Sequence, residues 1–204
     1  MSPMEDLLSG NARFREKNAA EITKHAEGQK PKQMCICCMD SRAVPHLVFD
    51  QPLGTMFAQT NAGNVVTETF RGGAAYAVLH GINEIDVVGH TRCGAISATF
   101  DWIAKGKEIA DPDIKAIANL LKPAVEEAVK QLKAGKLETE EQAKDLASRI
   151  NVKNQMRSLM RNETVRKKVE SGEVKIYGGL YDIKSGKLEK IAEREKAHRK
   201  LVSA

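Results

Sequence analysis

Apolar residues recur along this chain with two different spacings. Three short apolar runs, Gln33–Cys38, Gly54–Gln59 and Glu84–Gly89, each end in small or polar residues, the pattern of buried strands. Between the second and third, Val66, Phe70, Ala74, Ala77 and Val78 suit a helix over Val65–His80 packed on a sheet. Strand, helix, strand implies a parallel crossover. Residues 105–148 carry Leu120, Leu121, Val125, Val129 and Leu132 at helical spacing, followed by Leu137 and Leu146, so this Lys/Glu-rich stretch reads as amphipathic helices with a solvated face. A further helix is expected from about Ile150 to Val169. After Ser171-Gly172, Val174–Ile183 reads as a strand, and Ser185-Gly186 turns it into Lys187–Ala192. The expected fold is α/β: a Rossmann-like sheet with a mainly parallel core of about four strands plus an antiparallel edge strand, flanked by helices.

The two ends read differently. Ser2 can cap a helix over residues 2–17, Pro3 suits its first turn, and Leu7, Leu8 and Phe14 lie near one face. Ala19–Lys32 is polar and is expected to be irregular, so residues 1–32 read as an N-terminal helical arm. Arg194–Lys200 reads as a short charged helix. No repeat, linker or domain boundary interrupts the chain, and its 204 residues suit a single domain.

Composition narrows the class. Apolar residues make up 42% and charged residues 29%, which excludes a disordered or disulfide-dense chain. The net charge of +5 is too diffuse for a nucleic-acid surface. No segment has the roughly 18 apolar residues of a membrane span, and no basic leader opens the chain, so no membrane partner and a cytoplasmic location are expected. Three of the four cysteines, Cys35, Cys37 and Cys38, crowd one strand, unlike a secreted disulfide framework.

Chemistry concentrates in two segments just past predicted strand ends, Cys38-Met39-Asp40-Ser41-Arg42 and His90-Thr91-Arg92-Cys93-Gly94. Open parallel sheets place their sites beyond the strand carboxyl ends, where two such loops converge. Cys38, His90 and Cys93 then supply two thiolates and an imidazole, a three-ligand zinc set that leaves a fourth position for water. Asp40 and Arg42 are hard to bury without a purpose. Strand alternation sends Cys35 and Cys37 to the core as small apolar residues, on the face opposite Cys38.

These two segments resemble the paired signature of the β-class carbonic anhydrases. The likeness extends through Pro45, Leu47–Asp50, Asn61-Ala62-Gly63-Asn64, Tyr76–His80, Asn151-Val152, Gln155, Tyr181-Asp182-Ile183 and Gly186, roughly residues 29–192. It implies one zinc ion per chain on Cys38, His90 and Cys93, with Asp40 orienting the attacking zinc hydroxide and Arg42 holding Asp40 ionised. It also implies a plant-type substrate pocket of Gln29, Phe57 and Tyr76; Gly94, placed with them at the substrate site, lets the chain approach the metal closely because it has no side chain. In the family such pocket residues cross a dimer interface, so the resemblance implies a homodimer or dimer-based oligomer whose arm packs on the partner subunit. Thr60 stands where members commonly have Arg, and Cys35 where a bicarbonate-regulated subset has Trp, so the resemblance does not extend to that regulation.

The reaction so implied is reversible hydration of carbon dioxide to bicarbonate and a proton. Hydrolysis of carbonyl sulfide or carbon disulfide on the same zinc is the nearest alternative. A non-enzymatic zinc or thiol sensor is the other, though a sensor has no use for Asp40 and Arg42. No histidine announces itself as a proton shuttle.

Overall fold

A computed structural model describes residues 2–194. The arm holds α1 (Pro3–Lys17) and α2 (Ala19–His25); the body then runs β1 (Gln33–Cys38), α3 (Pro45–Val48), β2 (Met56–Asn61), α4 (Glu68–Leu79), β3 (Glu84–His90) and α5 (Gly94–Lys105). It continues through α6 (Pro112–Lys133), α7 (Glu140–Leu159), α8 (Glu163–Ser171), β4 (Lys175–Tyr181) and β5 (Leu188–Arg194). The sheet order is β2-β1-β3-β4-β5. The first four strands are parallel and β5 runs antiparallel to β4, as the sequence pattern implies. Strand order reverses between β1 and β3, because the chain leaves β1 to one side and returns as β3 on the other. That reversal opens a crevice at their carboxyl ends.

The two sheet faces differ. Met34, Ile36, Ile85, Val87 and Ile176 point toward α4, α7 and α8 and pack with Ala77, Val152, Leu159 and Val165 in a closed core. A second core joins Cys38, Cys93 and Val65 to Phe100 of α5, Leu121 and Val125 of α6, and Ala147 of α7. On the opposite face, among the described residues, only Cys35, Cys37, Met56 and Val88 gather, with Phe49 and Tyr181 against them. An open cleft of about 600 Å³ lies over that face, lined by Cys35, Asp86 and Tyr177 in one cross-strand row and by Lys190. Cys35 and Cys37 therefore do lie opposite Cys38, but beside a cleft and not under helices.

Several boundaries differ from expectation, each for a local reason. Ala19–His25 is helical, and α2 seats its His25 ring against the β1–β2 turn at Gly54, where a Cβ would stand 2.6 Å from the ring Nδ1. The expected helix from Ile150 to Val169 is two: α7 starts at a Thr139/Gln142 capping box and runs through Ile150, and Asn162 then caps α8. The helix α5 was not expected at all. Gly106, at φ 70°, ends it, and Asp111 caps α6 by accepting from the Asp113 and Ile114 N–H groups. The second strand begins at Met56 instead of Gly54, and α4 begins at Glu68 instead of Val65. Beyond Arg194, which ends β5, the expected terminal helix lies outside the described residues. No described helix is long and apolar enough to cross a membrane.

Candidate metal centre

Cys38 ends β1, His90 ends the neighbouring β3, and Cys93 is the N-cap residue of α5. Parallel pairing sets Cys37 beside Val88, so Cys38 lies one residue and His90 two residues past that level, both at the carboxyl end of the sheet. The ligand atoms of the three residues all lie within 4.8 Å of one another, and the two sulfurs are 4.0 Å apart. Thiolates about 2.3 Å from a tetrahedral zinc stand about 3.8 Å apart, so the spacing suits that ion. The imidazole is oriented for the same purpose. His90 Nδ1 donates to the Thr91 carbonyl at 2.9 Å, which leaves the Nε2 lone pair turned inward. Nε2 is buried, with no hydrogen-bond partner among the described residues.

Electrostatics agree with that reading. The Cys93 thiol faces the Cys38 sulfur, an arrangement that pulls the Cys38 pKa down and pushes that of Cys93 up. Burial works against charge on His90, yet the Cys38 sulfur and Asp40 outweigh it and raise its pKa. Two cysteine sulfurs and an imidazole nitrogen gathered in one buried space form a donor set that suits a divalent cation.

Asp40 stands at the rim. Arg42 donates from Nε to Oδ1 at 2.9 Å and from a terminal nitrogen to Oδ2 at 2.8 Å, and its backbone N–H reaches Oδ1 at 3.0 Å. Those bonds hold the Asp40 carboxyl well below the usual carboxylate range. Its Oδ2 lies 3.8 Å from His90 Nε2. An ionised acceptor thus sits beside the ligand cluster while Arg42 remains half exposed.

Residues without obvious chemistry hold this arrangement. Gly63, at φ 74°, gives its N–H to Cys38 Sγ at 3.3 Å, and a Cβ there would stand 2.9 Å from Leu121. Asn61 closes its own loop through the Val65 N–H and carbonyl. From α7, Asn151 donates to the Gly63 carbonyl at 2.9 Å and Gln155 accepts the Val66 N–H at 2.8 Å. Thr91 donates to Asp182 at 3.2 Å, tying the His90 loop to the β4–β5 turn. Sequence reasoning marked Asn61, Gly63, Asn151 and Gln155 only as landmarks. Amides spaced like Asn151 and Gln155 on one face of an apolar helix are a signal for such a role.

The remaining expected site residues are elsewhere in this chain. Phe57 pairs with Met34, four residues before the Cys38 level, or roughly 13 Å along the strand. Its ring lies 6.3 Å from that of Tyr76, which stacks on His80. Gln29 is exposed in a hollow with Ile22, His25 and Leu53. One chain therefore does not bring Gln29, Phe57 and Tyr76 to the cluster. A Cβ at Gly94 would meet no atom within 4 Å, so protein packing does not require glycine there.

Known proteins share this architecture. A family model described as carbonic anhydrase matches residues 33–188. The carbonic anhydrase of Pseudomonas aeruginosa is 30% identical over 98% of this chain and 91% of its own length. A tetrameric β-carbonic anhydrase of Sordaria macrospora superimposes with a TM-score of 0.79 at 23% identity, covering 93% of this chain and 97% of that one. The β-carbonic anhydrase of Coccomyxa, solved with acetazolamide, gives 0.79 at 25% identity, covering 96% and 90%.

Proposed function

Because this chain belongs to the β-class carbonic anhydrases and is an enzyme of that kind, we propose that it catalyses reversible hydration of carbon dioxide with zinc on Cys38, His90 and Cys93. The observation that carries the reading is the buried, unpartnered His90 Nε2 facing two thiols beside an Asp40 held ionised by Arg42. Bound there, zinc supplies Lewis acidity that makes water a nucleophile at neutral pH. Cys38 and Cys93 bring two negative charges to the ion, which tempers that acidity and gives Asp40 its importance. Asp40 has no proton to donate near neutral pH, so it accepts the O–H of the attacking oxygen and turns the lone pair toward carbon. Arg42 keeps Asp40 in that state and fixes its direction.

Gln29, Phe57 and Tyr76 complete a small, mainly apolar pocket on a second copy of the chain, with Gln29 donating to a substrate oxygen. Their separation from the cluster of their own chain supports this, as does an arm with no buried residue in α1 or α2. The working unit is then a dimer or a multiple of one.

Stopped-flow carbon dioxide hydration on purified protein, with zinc counted per chain, tests the proposal. One zinc per chain and fast, chelator-sensitive hydration are expected. Fast release of sulfide from carbonyl sulfide with negligible carbon dioxide hydration would assign the site to the other substrate.

A further inference from the structure

The loop His90–Cys93 contains a conformation its sequence does not favour. Arg92 lies between two of the proposed ligands at φ 57°, the left-handed region that glycine adopts freely and arginine at a cost of about 1 kcal/mol or more. Something must hold it there. Its side chain reaches α7, where Nε and a terminal nitrogen donate to Glu141 Oε1 at 3.2 and 3.1 Å. One turn further along α7, Asp145 lines the same hollow as Arg92 and Glu141, and its carboxyl, pushed up by burial and by Glu141, is drawn down by the Arg92 backbone N–H. Asp145 Oδ1 is buried with no hydrogen-bond partner among the described residues. Two acids four residues apart on one helix face repel each other, so their placement makes sense when a cation and an N–H stand opposite them. On its far side, the Arg92 carbonyl accepts from Arg42 at 3.5 Å, and Arg42 in turn grips Asp40.

We infer that Glu141 and Asp145 are positioning residues, which act through Arg92 to fix both the metal-binding loop and the Asp40–Arg42 pair. The inference rests on the zinc and carbon dioxide reading above. It explains why α7, whose Asn151 and Gln155 hold the Cys38 side of the cluster, also carries a separate acidic grip for the His90–Cys93 side. A purely structural salt bridge at this half-exposed position contributes little and leaves the metal untouched.

The test uses zinc-loaded protein carrying Glu141→Gln, Asp145→Asn, both together, and each again with Arg92→Gly. Zinc release to a chelator, the absorption spectrum of the cobalt-substituted protein and the pH profile of carbon dioxide hydration are recorded. The expected result is zinc release about tenfold faster in the double variant, within the range usual for partners behind metal ligands. An altered cobalt spectrum and a displaced pH profile should accompany it. In the Arg92→Gly background, Glu141→Gln should add nothing. Wild-type zinc release, spectrum and pH profile in the double variant would overturn the inference, whatever its melting temperature. So would an undiminished Glu141→Gln effect without Arg92. Should Asp145→Asn fail to fold, the exposed Glu141→Gln carries the same comparison alone. Wild-type protein that binds no zinc would instead overturn the functional reading itself.

Discussion

The carboxyl end of the sheet and its bare face together with the arm are built to opposite standards. At the carboxyl end the groups around the cluster are tied down: Cys38 by the Gly63 N–H, His90 by the Thr91 carbonyl, Asp40 by Arg42. Its notable gap is His90 Nε2, which faces the two sulfurs. The bare face and arm leave apolar surface uncovered. Leu7 and Leu8 of α1 are 68% and 65% exposed, and an open cleft lies over Cys35 and Asp86. A chain that ties one region down and leaves the other open is expected to hold its ligand at the first and to meet another protein surface at the second.

The sharpest way to break this comparison is to remove what the first region is built around. Cys38→Ser or His90→Ala should lose zinc, and hydration should fall to the uncatalysed rate. Metal analysis beside the rate assay checks this, and exhaustive chelation of the wild type should do the same. Asp40→Asn is a subtler break. It keeps the side-chain shape and removes the charge that Arg42 maintains, so zinc content should hold while turnover falls about 10²–10⁴-fold, the usual range for a positioned proton acceptor. Zinc loss with Asp40→Asn would make its role structural.

These residues were legible in the sequence because metal ligation demands particular side chains at strand ends, whatever the surroundings. Strand positions were legible for a similar reason, since β1 keeps its expected limits and its alternation correctly divides Cys37 from Cys38. Helix α5 was not. No capping signal marks its start, because its N-cap, Cys93, makes no side-chain capping bond and turns its sulfur to the cluster. The grip of α7 was equally hidden. Glu141 and Asp145 look like any solvated pair until the fold brings Arg92 to them.

The second region is tested through the arm. Each buried leucine is worth about 1.5–3 kcal/mol, so replacing Leu7 and Leu8 with Asp should weaken association about 10²–10⁴-fold if a second chain covers them. Sedimentation should show lighter particles at micromolar concentration. Hydration should fall with assembly and recover as protein concentration rises, because Gln29, Phe57 and Tyr76 stand away from the cluster of their own chain. Unchanged mass and rate would mean that α1 is an ornament of the surface, and the contrast between the two regions would lose its meaning.

The smallest effect belongs to Asp86, on the bare face. Burial, reinforced by Glu84, pushes its pKa up to about 7 from the ordinary 3.8. An acid whose pKa is raised on folding binds its proton more tightly in the folded state. The stability it contributes is therefore complete below pH 3.8, declines as pH rises, and is lost once pH passes about 7. Asp86→Asn keeps the neutral shape at every pH. It should match the wild type near pH 4, gain progressively toward pH 7 and hold a constant advantage above, about 2–8 °C in Tm for 1–2 kcal/mol. Melting curves across pH 4–9 would show this. A difference independent of pH would mean that Asp86 is already ionised and solvated when folded. The face would then be wet in solution, and the cleft over Cys35 would have no second chain to exclude water from it.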